Sequence, residues 1–286
     1  MTAVAAGAWG WRDELRDQVR AFSGALLFGI PLLYTLEVWW IASHTSPQQM
    51  AAVLAFTFVV AALLIHLAGF RDARDVSLRS TLMDAVEAVA IGMLASLLIL
   101  VVVREIGPQT TRREVLGKVI YHGVTASIGV ALASQFFQGS ADGAGGEESG
   151  GQSDLLGTII DLGASAIGAV FVVSAIAPTD EVPLLAGASS PGWLLVVMAT
   201  SLLASYAIVF VSGFANERKR RLQPGVLQHP VTETVAAYVV ALGVCAAGLI
   251  IFQRVDPSDP MSVWLPQVVL LGLPGAIGGA AGRLAV

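Results

Sequence analysis

Charge is scarce in this chain. Only 13% of its 286 residues are Asp, Glu, Lys or Arg, while 55% are hydrophobic and the mean hydropathy is +0.74. Soluble domains carry roughly twice that share of charge, so water is not this chain's main solvent. Cysteine is scarcer still. The single Cys245 lies in an apolar run, which excludes a disulfide framework or a thiolate metal cage built from one chain. The four histidines, His44, His66, His122 and His229, have no paired metal-ligand spacing, and GxSxG, HExxH and P-loop sequences are missing. The reading is therefore a protein that is not an enzyme and needs no cofactor. The 16 Lys and Arg are scattered over several loops without a binding motif, and the net charge is −5, so no nucleic-acid partner is expected. The alternation of a membrane β-strand is also lacking. Only helices and closed barrels satisfy their backbone in lipid, which leaves helices, with the lipid bilayer as the first partner.

A spanning helix needs about 20 predominantly apolar residues. Eight such spans are predicted, at about 21–43, 50–70, 82–103, 115–137, 155–177, 191–214, 231–252 and 262–283. The fold class is thus an all-α, polytopic membrane helix bundle. Residues 1–20 read as an amphipathic interfacial segment, with Trp11, Leu15 and Val19 on one stripe and Arg12, Arg16 and Arg20 on another. The charged stretch ahead of the first span and that span's length lead us to expect a retained membrane helix there and no signal peptide. With a cytoplasmic N-terminus, that side holds eleven loop Lys and Arg against four opposite, so both termini are expected in the cytoplasm, with the protein in the inner membrane. Residues 138–153, QGSADGAGGEESGGQS, lack aromatic and β-branched residues and read as a flexible linker.

On either side of that linker the sequence echoes itself. Thr35, Glu37 and Val38 recur 144 residues on as Thr179, Glu181 and Val182, and the same offset places Gly24 on Gly168 and Ser46-Pro47 on Ser190-Pro191. An offset of 149 places Asp84 on Glu233, Pro108 on Pro257 and Ile128-Gly129 on Ile277-Gly278. Two four-helix repeats are expected, 21–137 and 154–286. Four spans per unit is an even number, so the two units run parallel.

A carboxylate inside a spanning helix costs about 2.5 kcal/mol or more at the bilayer centre, so Glu37 needs shelter. Its counterpart Glu181 lies in APTDEVPLL between Pro178 and Pro183, where a helix break is predicted, and Pro31 perturbs the first span. Paired interruptions ahead of a repeated acid point to a cation or proton site at Glu37 and Glu181, with Asp180 and His122 as secondary members. The alternative is that Glu37 pairs within the bundle, with Lys118 as its partner. Asp84, Glu87, Asp161 and Glu233 would form a second acidic layer at the inner end, or else helix-start carboxylates complementing the dipole. Glycines at 272, 275, 278, 279 and 282 in the last span read as packing positions.

The segments FGIPLLYTLEVWW at 28–40 and APTDEVPLLA at 177–186 resemble a family of bacterial integral membrane proteins of unknown function. The resemblance covers essentially the whole chain and implies a membrane location and no residue roles. From the residues themselves, two functions are expected: movement of a cation or proton between the repeats, or a membrane-embedded scaffold, sensor or accessory role without transport.

Overall fold

The computed structural model describes residues 11–71, 77–136, 154–212 and 229–284, and among them every regular element is a helix. The expected linker 138–153 and residues 1–10 lie outside the described residues. The first half contains α1 (Trp11–Leu33), α2 (Leu36–His44), α3 (Pro47–Arg71), α4 (Leu78–Val102) and α5 (Arg112–Phe136). The second contains α6 (Asp154–Ile176), α7 (Glu181–Ala188), α8 (Pro191–Tyr206), which runs into a π-helical turn at Ala207–Val211, then α9 (Pro230–Ile251) and α10 (Met261–Leu284). Six helices are long and apolar enough to cross a membrane, or eight spans if each of two bent helix pairs counts as one.

Local chemistry explains where these helices start. Ser46 and Gln49 form a reciprocal cap ahead of α3, with the Ser46 amide donating to Gln49 Oε1 at 2.9 Å and the Gln49 amide to Ser46 Oγ at 3.3 Å. Thr111 and Glu114 do the same at the start of α5. Pro191 and Pro230 open α8 and α9, positions where a missing N–H costs nothing. Two helices stop in the same way. After α4 the chain passes through Arg104 at φ 65°, and after α9 through Gln253 at φ 57°. The amide two residues further on then returns to a carbonyl of the last turn, Ile106 to Leu100 at 3.1 Å and Val255 to Leu249 at 3.4 Å.

The first predicted span needs correction, while the fifth lies within a residue of expectation and breaks where predicted. The interfacial segment is not separate, because no breaker stands between Trp11 and the apolar run and α1 propagates through both. It runs past Pro31 and ends at Leu33, where the chain turns by 100° into α2. Likewise α6 turns by 91° into α7. Pro178 lies in that turn as expected, but Pro183 sits in the first turn of α7, where it displaces no helical hydrogen bond.

Within each half one helix is surrounded by the others. In the first half α5 packs against α1, α2, α3 and α4; in the second α10 packs against α6, α7, α8 and α9. Every residue of α10 from Gln267 to Ala280 is buried. The halves meet where α1 packs on α10 and the π-helical turn, and where α4 touches α8.

The tightest crossings are backbone on backbone. A Cβ added to Gly24 of α1 would stand 2.6 Å from the Gly129 carbonyl oxygen of α5, and one added to Gly278 of α10 would stand 2.6 Å from the Gly168 carbonyl oxygen of α6. Lipid tails compete for apolar side chains, so close backbone approach is what holds membrane helices together. Gly163, also on α6, has nothing within 4 Å of such a Cβ. Gly168→Ala should therefore destabilise the protein by about 1–3 kcal/mol through overpacking, while Gly163→Ala should be neutral or stabilise by up to about 1 kcal/mol through helix propensity. Unfolding curves in detergent check this, and shifts of the same sign in both variants contradict it.

Candidate functional site

A helix that turns by 90° within an apolar setting releases backbone groups that lipid cannot satisfy. Between α1 and α2 the released amide of Leu36 donates to Glu181 Oε1 at 2.7 Å, and the Leu33 carbonyl accepts from Trp39 Nε1 at 3.0 Å. Glu181, at the start of α7 in the other half, is only 5% exposed. Its carboxylate thus stands at the N-terminus of α2, where the helix dipole favours an anion. At the second turn, the Pro178 carbonyl accepts from the Arg254 guanidinium, which also pairs with Asp180 Oδ1 at 2.5 Å.

The structure therefore brings the elements bearing Glu37 and Glu181 together, since Glu181 binds the residue next to Glu37, but the two acids are placed differently. Glu37 is exposed. It lines a groove of about 700 Å³ with Glu105, Glu114, Trp40, His44 and Leu184 among its neighbours. Asp180, with 81% of its side chain exposed, points to Arg254. His122 is fully buried in α5 and does not reach the groove. Lys118 pairs with Glu105 at 2.6 Å and Glu114 at 3.6 Å, not with Glu37 as the sequence alternative had it.

The expected inner layer does not form a single cluster. Asp84 and Glu87 line an open groove of about 860 Å³ beside Arg79, and Glu87 accepts from Gln18 Nε2 at 2.6 Å. Asp161 is half-buried on α6. Glu233 is buried in an ion pair with Arg283, itself 1% exposed and stacked over the Phe210 ring at 5.3 Å. A pair this enclosed loses hydration that only close contact can offset.

Sequence reasoning missed three partners. Glu105, Arg254 and Arg283 were not among the candidate residues, and each holds a specific ion pair. It also missed Tyr34. Pro274 cannot donate to the Leu270 carbonyl four residues back, and the Tyr34 hydroxyl donates there instead at 3.0 Å. The signal was available, because an internal proline names the carbonyl it leaves open; only the donor's identity required the fold.

Removing the Glu181 acceptor should strand the Leu36 amide. Glu181→Leu is expected to cost about 1–3 kcal/mol of stability, whereas Glu181→Gln, whose amide oxygen still accepts, should cost less than about 1 kcal/mol through the lost charge–dipole term. Denaturation in detergent measures both, and a Glu181→Leu protein as stable as the wild type contradicts the capping role.

No curated protein and no solved structure matches the chain. Residues 17–286 match the model of the family described as "Putative integral membrane protein (DUF2391)". With its long apolar helices and that match over nearly its whole length, the chain belongs to this family of multi-pass integral membrane proteins.

Proposed function

We propose that the protein moves a small cation or proton across a bacterial inner membrane, between two halves that are diverged copies of one four-helix unit, and that it does so without enzymatic chemistry. The observation that carries the reading is the pair of bent helices, α1–α2 and α6–α7, whose junctions meet at Leu36 and Glu181. Interrupted helices at corresponding places in two halves mark substrate sites in transporters with internal repeats. The correspondence is supported by the start of α3 and α8 144 residues apart, at Pro47 and Pro191, and by the left-handed Arg104 and Gln253, 149 apart. Gly24 and Gly168, and Gly129 and Gly278, repeat at the same two offsets.

In this reading Glu37 attracts the cation and Glu181 is a positioning residue that fixes α2, with Asp180 held aside by Arg254 and His122 serving the interior of the first half. Both termini lie in the cytoplasm, which places the Glu37 groove on the outer face. The second reading, a non-transporting scaffold or sensor, is favoured by a specific observation: Glu181, Lys118 and Arg283 each have a partner that explains their burial.

Proteoliposome flux separates the two. Wild-type protein should pass protons or monovalent cations, Glu37→Gln should lower the rate at least about tenfold, the cost of one lost charged contact of about 1.4 kcal/mol or more, and Glu181→Gln should keep most of it. No flux in the wild type, or an unaltered rate in Glu37→Gln, overturns the transport reading and leaves the scaffold.

A further inference from the structure

We infer that the Glu37 groove takes an organic ammonium ion with an apolar body, not a bare metal ion; the inference rests on the cation reading above and narrows it. The size of the groove is the first argument. About 700 Å³ falls in the range of small-molecule sites, roughly 300–1,000 Å³, and is far larger than an ion stripped of its water. The walls are the second. Leu36, Trp40, Ile41 and Leu184 line the groove and are all exposed, which suits a hydrocarbon body and offers nothing to a hard cation that demands oxygen ligands.

Charge supplies the third argument. Glu37, Glu105 and Glu114 line the groove, and among the described residues Lys118 is the cation paired with the last two, so the lining itself is acidic; Arg104 lies instead over the Trp193 ring at 5.1 Å. Arg113 is turned away to the Thr45 carbonyl at 3.0 Å. The carboxylates do not converge, and among the described residues no group of three or more His, Cys, Asp or Glu could hold a metal ion. A diffuse negative field over an aromatic wall matches a weakly hydrated ammonium, which is drawn to the face of an indole as well as to carboxylates. The Trp40 indole is steadied for this by His44, whose ring packs against it at 4.8 Å and whose Nδ1 lies 2.8 Å from the Trp40 carbonyl oxygen.

The test is a binding titration on the full chain in detergent, with benzyltrimethylammonium as probe and MgCl2 and the uncharged 3,3-dimethylbutan-1-ol as comparisons. Benzyltrimethylammonium should bind saturably, with a Kd raised at least about tenfold in Glu37→Gln and in Trp40→Ala, and Mg²⁺ should fail to displace it beyond the general effect of ionic strength. Both side chains are exposed, so the unfolding midpoint of each variant should match the wild type and show that lost binding is not lost folding. Equal affinity for the uncharged alcohol, stoichiometric displacement by Mg²⁺, or wild-type affinity in both variants overturns the inference. A protein that binds the probe but passes no cation sinks the transport reading alone, and one that passes protons or Na⁺ but ignores the probe sinks this inference alone.

Discussion

Backbone groups that leave a helix inside hydrocarbon must find a partner within the protein, and this constraint organises the molecule more than any other. The chain departs from regular α-helix at several places, and six of the groups so released are answered by particular side chains. Glu181 takes the Leu36 amide, Trp39 the Leu33 carbonyl, Arg254 the Pro178 carbonyl and Tyr34 the Leu270 carbonyl that Pro274 leaves open. At the ends of α4 and of the π-helical turn, Trp193 Nε1 donates to the Val102 carbonyl at 2.7 Å and Arg20 Nε to the Ser212 carbonyl at 2.8 Å. Four of these six bonds, those from Glu181, Tyr34, Trp193 and Arg20, join one half of the chain to the other. The seam is thus held by repairs to broken helices, and backbone defects in one half specify residues in the other.

Glycine sets the distance over which those repairs can act. The crossings at Gly24 with Gly129 and Gly168 with Gly278 bring α1 onto α5 and α6 onto α10 until backbones touch, which positions both helix turns against the central helices. What differs between the halves is then chemical. Lys118 on α5 gathers Glu105 and Glu114, whereas Gln267, 149 residues on, has no charge to offer, and the second half instead pairs Arg254 with Asp180 beside its helix turn and Arg283 with Glu233 at its other end. The first half therefore lines an open groove with acids, and the second half closes its charges into two ion pairs.

Span positions were legible because about 20 apolar residues in a row admit few structures in lipid; α4, α5, α9 and α10 begin and end within a few residues of expectation. The break near Pro178 was legible from proline chemistry. The interruption of the first span was legible from Pro31, although the helix runs two residues past it to Leu33; what was not legible is the acceptor that closes the turn, Glu181, which arrives from far along the chain. Glu37 and Glu181 could be paired by their surroundings in sequence, but their unlike burial could not be read, since local sequence does not state which of two similar acids meets an open amide. Glu105 escaped notice for a related reason: its value comes from Lys118 on the following helix.

Glu181, from the second half, closes the N-terminus of α2 in the first. Hydrogen exchange at the Leu36 amide tests it most directly, because the opening amide of a short helix ordinarily lacks a partner and exchanges fast. Leu36 should be protected about as well as amides inside α4 or α10. Exchange at the rate of an exposed loop amide, with α1 and α10 still protected, would contradict it.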